Sequence, residues 1–400
     1  MNQETELLRS ERLAEAEAII AMLPEPDYGV NYQAEYPDKE ALAEAMAENL
    51  TTQGVTTPHR AAAFTKELES VSNPRSPDLL VITGSCREAI QASVPITELA
   101  DITEANLAVI AGSKLKRIKV AQRDRGQYKK PRSAVEEEDA KGNKIPVYMG
   151  DVVNGEDVRD RTPDPSRLVA GGVQARDLEI ELTRRFGHHV AAAHEALSLP
   201  YELPFIRKDE RSGKLYSHSA DLLWAGLRTN QLTSEIVKLL MTIENTVGVK
   251  IGGSSDEAHI AGLAERLNPE NRAGKLIFML RLGLQEVDRY PTILRAINKH
   301  ASNAITIFDI HGMTEKRPDG LKIRHVPSII EGMTVMARAC QDAGVKFGGV
   351  HLETTPDSTR FECIDELDQL PLHPGNIDPR LNPRQTRRVL NALAKITNQT

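Results

Sequence analysis

Residues 276–311, LIFMLRLGLQEVDRYPTILRAINKHASNAITIFDIH, contain the pattern on which the fold prediction depends. An aliphatic run at residues 276–280 is followed by a stretch with helical apolar spacing, and a second aliphatic run covers residues 304–308. Short continuous apolar runs are typical of strands buried on both faces, and parallel strands need a crossover helix between them. The segment therefore predicts a strand, a helix and a second, parallel strand.

The same pattern recurs along the chain after residue 77. Aliphatic runs, most of them followed by helix-compatible stretches, occupy residues 79–83, 117–121, 189–193, 247–251, 276–280, 304–308, 346–350 and, more weakly, 375–378. This number of strands favours a (β/α)8 TIM barrel over an open doubly wound sheet. Residues 1–76 are rich in Glu, Ala and Leu at helical spacing, so we predict an N-terminal helical extension over 1–76 and the barrel over 77–400.

Composition excludes several classes of protein. The chain has 400 residues, with 50 Lys and Arg against 57 Asp and Glu, and its net charge of −7 argues against nucleic acid or an anionic membrane as a partner. No apolar run approaches the roughly 20 residues that cross a bilayer. The charged N-terminus is unlike a signal peptide, and the 3 cysteines are scattered. We therefore predict a cytoplasmic protein.

Cations follow several of the predicted strands. The segment 123–133, RDRGQYKKPRS, has five of them, and single cations occur at Lys250 and Arg281. Because the carboxyl ends of barrel strands form the active face, these side chains predict capture of phosphate or carboxylate groups. The alternative for the basic segment by itself is a solvated loop.

A second set of strand ends offers metal ligands. Cys86, His311, Glu353 and Asp378 supply one sulfur, one nitrogen and two carboxylates, a mixture that suits Mn²⁺, Fe²⁺, Co²⁺ or Zn²⁺ better than Mg²⁺ or Ca²⁺. Taken singly, each residue is also compatible with an ordinary structural role. His351 and Glu353 are two positions apart and share one face of a strand, so either could be the ligand.

Eleven short motifs occur in nine segments along the chain. They are GQY and KPRS within 126–133, GDVVNG at 150–155, RTPDP at 161–165, LWAG and RT within 223–229, GVK at 248–250, RLG at 281–283, HG at 311–312, GGVHLE at 348–353 and DPRLN at 378–382. Together they resemble the type II 3-deoxy-D-arabino-heptulosonate 7-phosphate (DAHP) synthases, the family that opens the shikimate pathway.

The resemblance implies a barrel that condenses phosphoenolpyruvate with an aldose phosphate, most simply erythrose 4-phosphate, and that uses a divalent metal, most simply Mn²⁺. The implied metal ligands are Cys86, His311, Glu353 and Asp378. The positions that match phosphoenolpyruvate-binding residues are Arg123, Arg228, Lys250 and Arg281. The positions that match sugar-phosphate-binding residues are Lys130, Arg132 and Ser133, with Lys130 near the aldehyde. Lys130, Arg123 and Lys250 are thus the expected catalytic residues, in a homodimer or homotetramer.

The chain also differs from the family pattern. Leu227 replaces a glutamate, and Asp309 is one position closer to His311 than the family's aspartate. These differences motivate two alternatives: the same chemistry with another aldehyde, as in amino-DAHP synthases, or a barrel without catalysis that serves as a binding or regulatory subunit. The stretch from Gly171 to His194 is too short for the insertion with which long members bind aromatic amino acids, so the resemblance implies a short form, possible also in secondary metabolism.

Overall fold

The computed structural model describes residues 3–21, 32–85, 90, 94–123, 136–139, 141–365 and 378–398. Contacts between Cα atoms divide the chain into two units. The first unit contains Met1–Ala61, Arg87–Thr97 and Arg125–Glu244. The second unit contains Ala62–Cys86, Glu98–Asp124 and Asn245–Thr400.

Helices and strands alternate along most of the described chain. The helices are α1 (Gln3–Ala21), α2 (Lys39–Asn49), α3 (Pro58–Ser72), α4 (Ile96–Ala111), α5 (Ser166–Phe186), α6 (Leu199–Glu202), α7 (Glu235–Thr242), α8 (Glu257–Leu267), α9 (Tyr290–His300), α10 (Val326–Asp342) and α11 (Pro383–Ile396). The strands are β1 (Leu79–Thr83), β2 (Ile118–Gln122), β3 (Glu136–Glu138), β4 (Lys144–Pro146), β5 (Ala193–Glu195), β6 (Ile206–Lys208), β7 (Leu215–Ser217), β8 (Leu222–Ala225), β9 (Thr246–Ile251), β10 (Leu276–Leu280), β11 (Ile305–Asp309), β12 (Glu315–Lys316), β13 (Lys322–Ile323) and β14 (Phe347–His351).

Eight of these strands belong to one sheet, in the order β2, β1, β14, β11, β10, β9, β8, β5. Helices follow the strands in the manner of repeated βα units, as with β9 and α8, β10 and α9, and β14 and α11. Parallel strands connected in this way are the pattern of the (β/α)8 TIM barrel. The predicted fold class is therefore confirmed.

The first unit has its own apolar core. Its members come from α1, α2, α5 and the segments around the hairpins, and the large ones are Tyr36, Leu42, Met46, Val152, Leu168, Tyr201 and Phe205. Strands β5 and β8 pair in parallel, with His194 opposite Leu223. The acidic strand β3 (Glu136–Glu138) forms a hairpin with β4. Helices α1, α2 and α3 confirm the helical character of the N-terminal region, whereas the domain boundary at residue 76 stays a prediction.

The second unit contains the other six strands of the sheet. Every residue of β1, β9, β10, β11 and β14 is buried, which explains why apolar residues and glycine predominate in these strands. Seven of the eight predicted runs overlap strands of the sheet.

The eighth predicted run, at residues 375–378, lies outside the described residues except for Asp378, which lies in no strand. The remaining strand of the sheet is β8. Its four residues are all buried and show no alternation, so periodicity does not separate them from the helix-compatible sequence around them. Trp224 lies in this strand and is fully buried, as expected of a packing residue. No helix in the described ranges is both long and apolar enough to span a membrane.

Candidate metal and substrate site

Strands β11 and β14 carry the centre of the site at their carboxyl ends. Asp309 is the last residue of β11 and pairs in register with His351, the last residue of β14. His311 and Glu353 each follow two positions later. The Asp309 carboxylate accepts a hydrogen bond from the His311 backbone N–H at 3.1 Å, which fixes the 3₁₀ turn Ile310–Met313. Parallel register thus brings together side chains that are distant in sequence.

His311, Glu353 and Asp378 form a compact cluster. His311 Nε2 lies 2.9 Å from Glu353 Oε1 and 3.9 Å from Asp378 Oδ2. One candidate ligand atom from each residue lies within 4.8 Å of the others. A histidine nitrogen with two carboxylate oxygens is a donor set that borderline divalent ions accept, so these residues fit such an ion.

A buried arginine joins the two carboxylates of this cluster. Arg324 Nη1 donates to Glu353 Oε2 at 3.1 Å, and Arg324 Nη2 lies 3.5 Å from Asp378 Oδ2. The guanidinium also donates to the Pro379 carbonyl and, through Nε, to the Thr314 hydroxyl at 2.8 Å. Its side chain has no solvent exposure. Hydrogen-bond acceptors therefore surround the guanidinium on both edges of its planar group.

Neighbouring cations keep both carboxylates ionised. Burial raises the pKa of Glu353, but the charge and hydrogen bond of His311 and the charge of Arg324 outweigh it, and the pKa lies well below its usual range. Burial also raises the pKa of Asp378, and Arg324 and His311 again bring it below its ordinary value. The ionised form is the one that a divalent cation requires of a carboxylate ligand.

A second group of charged side chains lies on the Nδ1 side of His311. Asp309 Oδ1 is 2.5 Å from His311 Nδ1, and Asp309 Oδ2 is 3.1 Å from Lys250 Nζ. His351 Nε2 is 3.4 Å from Arg123 Nη1, and burial lowers the pKa of His351 well below its ordinary value, with Lys250 adding to that effect. The atoms of Asp309, His311 and His351 are also close enough to hold a metal. The two clusters share His311, and cations contact both of them: Lys250 contacts Asp309, and Arg123 and Arg324 contact Glu353.

The predicted cations are distributed between the two units. In the second unit, Arg123 Nη1 lies 3.4 Å from Glu353 Oε1, and Lys250 contacts Asp309. Arg281 is half-buried just after β10, and its backbone N–H donates to the carbonyl of Ile251, the residue after Lys250, at 2.8 Å. These three cations thus belong to one edge of the sheet.

In the first unit, Arg228 is exposed in the turn after β8. The Thr229 hydroxyl accepts a hydrogen bond from the Gly226 N–H at 3.0 Å and fastens this turn. The carboxylate of Glu195, at the end of β5, occupies the space where a side chain on Gly226 would project. Glycine at this position therefore allows a carboxylate to lie beside the turn that carries Leu227 and Arg228.

Four predicted site residues, Cys86, Lys130, Arg132 and Ser133, lie outside the described residues. Sequence reasoning did not assign a role to Arg324 or to the pairing of Asp309 with Lys250. Arg324 lies in a turn-rich stretch with no metal or phosphate motif, and only its complete burial distinguishes it from a surface arginine. The signal for Asp309 was its departure from the family's spacing.

Comparison with known proteins gives consistent similarities. A sequence profile of the class-II DAHP synthetase family matches residues 26–193 and 172–394. A probable phospho-2-dehydro-3-deoxyheptonate aldolase from Pseudomonas fluorescens is 37% identical over 276 residues, which make up 65% of this chain and 68% of that protein. The phospho-2-dehydro-3-deoxyheptonate aldolase of Streptomyces coelicolor is 27% identical over 88% of this chain and 92% of its own length.

A solved structure resembles the whole chain. The phospho-2-dehydro-3-deoxyheptonate aldolase of Francisella tularensis covers 96% of each chain with a TM-score of 0.52 and 14% sequence identity. At this identity the likeness concerns the fold alone, and it agrees with the barrel described above.

Proposed function

Since this chain belongs to the class-II DAHP synthetase family and condenses phosphoenolpyruvate with erythrose 4-phosphate, we propose that His311, Glu353, Asp378 and Cys86 hold the divalent metal ion of that reaction. Mn²⁺ is the proposed ion, with Co²⁺, Fe²⁺ and Zn²⁺ as the other members of the class that the donors suit. When bound, such an ion polarises the aldehyde carbonyl of the acceptor. The family match does not favour the alternatives of another aldehyde or of a barrel without catalysis.

The observation that carries the proposal is the contact between the candidate substrate cations and the candidate metal ligands. Arg123 lies 3.4 Å from Glu353, and Lys250 lies 3.1 Å from Asp309, which in turn holds His311. The cations are therefore held in place before any substrate binds, so little reorganisation accompanies binding. Both side chains are also nearly free of solvent, which strengthens their attraction for an anion.

We propose that Arg123, Lys250, Arg281 and Arg228 bind the carboxylate and phosphate of phosphoenolpyruvate. Arginine pairs with either group through two parallel N–H donors, and lysine acts as a compact charge. With the enol phosphate held in this way, its C3 carbon attacks the aldehyde carbon. Water then adds at C2, and phosphate leaves, giving DAHP.

Lys130, Arg132 and Ser133 are proposed to bind the sugar phosphate. Lys130 would donate a proton to the aldehyde oxygen as the new carbon–carbon bond forms, since an ammonium group near that oxygen is a suitable acid. The half-buried Leu227 is then a tolerated difference from the family.

The direct test is the loss of phosphoenolpyruvate absorbance with purified, metal-stripped protein and erythrose 4-phosphate. Consumption that requires added Mn²⁺ and releases one phosphate per molecule consumed is the expected result. If a panel of other aldose phosphates reacts while erythrose 4-phosphate does not, the acceptor assignment is wrong.

Lys250 offers a residue-level test with a matched control. Lys250 and Lys275 are both buried lysines with 4% exposure, and Lys275 Nζ donates to the Asn245 carbonyl at 2.6 Å, at the opposite end of the strands. We expect Lys250→Met to lower kcat/KM for phosphoenolpyruvate by about 10²-fold or more, whereas Lys275→Met retains the wild-type value per folded molecule. Equal losses in the two variants would contradict the assignment.

We also propose that the enzyme works in the cytoplasm as a homodimer or homotetramer. Sedimentation at micromolar concentration tests the oligomer, and a monomer that retains full activity would exclude it.

A further inference from the structure

Arg324 is the most deeply buried cation beside the proposed metal ligands. Its guanidinium lies between Glu353, at 3.1 Å, and Asp378, at 3.5 Å, and it also contacts Thr314 and Pro379. The Arg324 and Glu353 side chains are both fully buried. The contacts occupy the two edges of one planar group, so they restrict its rotation as well as its place.

The two carboxylates are positioned by different means. Glu353 lies two positions after the end of β14, and its carbonyl accepts a hydrogen bond from Leu381 N–H at 2.8 Å. Asp378 belongs to no strand. Its oxygens are instead contacted by side chains, namely Arg324 and Lys322. Strand register therefore places the first carboxylate, while side-chain contacts place the second.

A cation in this place has two opposite effects on a metal ion. Its charge repels the ion, so by electrostatics alone its removal would strengthen metal binding. Its hydrogen bonds hold the two carboxylates facing His311, and by that effect its removal would weaken metal binding. The sign of the change in affinity therefore separates the two effects.

We infer that Arg324 is a positioning residue for the metal site, whose forked guanidinium orients Asp378 relative to Glu353 and His311. The inference rests on the proposed metal site. It predicts that the forked N–H donors of the guanidinium matter more for Mn²⁺ affinity than its positive charge does. A lysine at this position keeps the charge but has no planar fork, so it does not replace the arginine.

The experiment is a titration of metal-free protein with Mn²⁺, with the free ion followed by electron paramagnetic resonance. We expect Arg324→Lys and Arg324→Met each to weaken Mn²⁺ binding about 10- to 100-fold, the range for the loss of a group that supports a metal ligand. Arg60→Lys is the matched control, because Arg60 Nη1 binds the buried Glu179 at 2.9 Å in the first unit, whereas the proposed metal ligands belong to the second. It should leave Mn²⁺ affinity within about 3-fold of wild type.

Tighter Mn²⁺ binding by Arg324→Met, or wild-type binding by Arg324→Lys, would overturn the inference. Thermal unfolding without metal identifies variants that fail to fold. In that case Thr314→Val decides, because it removes the hydroxyl that accepts from Arg324 Nε while keeping the guanidinium. Weaker Mn²⁺ binding by this variant is expected, and unchanged binding would refute the positioning role.

Asp378→Asn separates this inference from the metal assignment. If wild type binds no Mn²⁺, or if Asp378→Asn binds it as tightly as wild type, the metal site itself is wrong. If Asp378→Asn weakens binding while Arg324→Lys does not, the metal site stands and only the role of Arg324 fails.

Discussion

Asp309→Asn is the substitution that most directly tests how the site is held together. The Asp309 carboxylate is fully buried, lies 2.5 Å from His311 Nδ1 and pairs with Lys250 Nζ at 3.1 Å. His311 and Lys250 hold the pKa of Asp309 well below its usual range, although burial opposes them. The asparagine has nearly the same volume, so the change removes a charge without leaving a cavity.

The expected cost follows from these contacts. Breaking a buried charge pair by removing one partner costs about 3–5 kcal/mol, because the buried Lys250 ammonium loses its counter-ion. The amide oxygen can still accept a hydrogen bond from His311, which recovers about 1 kcal/mol. We therefore expect metal-free Asp309→Asn to lose about 2–4 kcal/mol of unfolding free energy. Mn²⁺ binding should weaken about 10- to 100-fold, because a neutral amide raises the basicity of the His311 ring less than the carboxylate does.

Urea unfolding followed by circular dichroism measures the first quantity, and Mn²⁺ titration measures the second. Asp319→Asn is the control, since Asp319 pairs with Arg317 at 3.1 Å where both side chains are at least 40% exposed. That exposed pair should contribute less than about 1 kcal/mol. The reasoning is refuted if the two variants lose the same small amount of stability and Asp309→Asn binds Mn²⁺ like wild type.

Two further predictions concern the fold. Burial lowers the pKa of His189, but hydrogen bonds to Asp221 and Glu179 outweigh burial and raise this pKa to about 9. The stability that protonated His189 contributes is therefore complete below its ordinary pKa of 6.5 and is lost as the pH rises through about 9. His189→Gln should flatten the fall in urea midpoint between these pH values, and an unchanged slope would count against this network. Gly349→Ala should prevent folding, because φ is +144° and the added Cβ would overlap a backbone carbonyl of β1. Gly142→Ala is the control, since φ is +78° and the added Cβ has no neighbour within 4 Å. In thermal unfolding this control should lose only about 1 kcal/mol of stability.

The sequence predicted the barrel strands that are buried on both faces. Strands such as β10 and β11 are covered on both faces, so their aliphatic runs stand out from the amphipathic helices between them. Hydrophobic periodicity did not predict β8, because four buried residues are too few to define a period. The predicted strand at residues 375–378 falls almost entirely outside the described residues and stays a prediction.

The sequence predicted which residue types form the site, but it predicted only some of the contacts between them. Histidine, glutamate and aspartate at chain positions that end strands indicated a divalent metal, and His311, Glu353 and Asp378 do lie together. His351 and Glu353 were left as alternative ligands, and both lie beside His311. Arg123 Nη1 is 3.4 Å from each of them, while His311 Nε2 is 2.9 Å from Glu353 Oε1, so Glu353 stays the proposed ligand.

The sequence by itself determined the repeated strand and helix pattern, the motif residues and the chemical class of the ligands, because these are local properties of the chain. Tertiary structure decided which buried charges meet: Lys250 with Asp309, and Arg324 with Glu353 and Asp378. Such pairs join residues separated by tens of positions, so no spacing in the sequence records them. Their geometry comes from parallel register and from the burial that makes an unpaired charge costly.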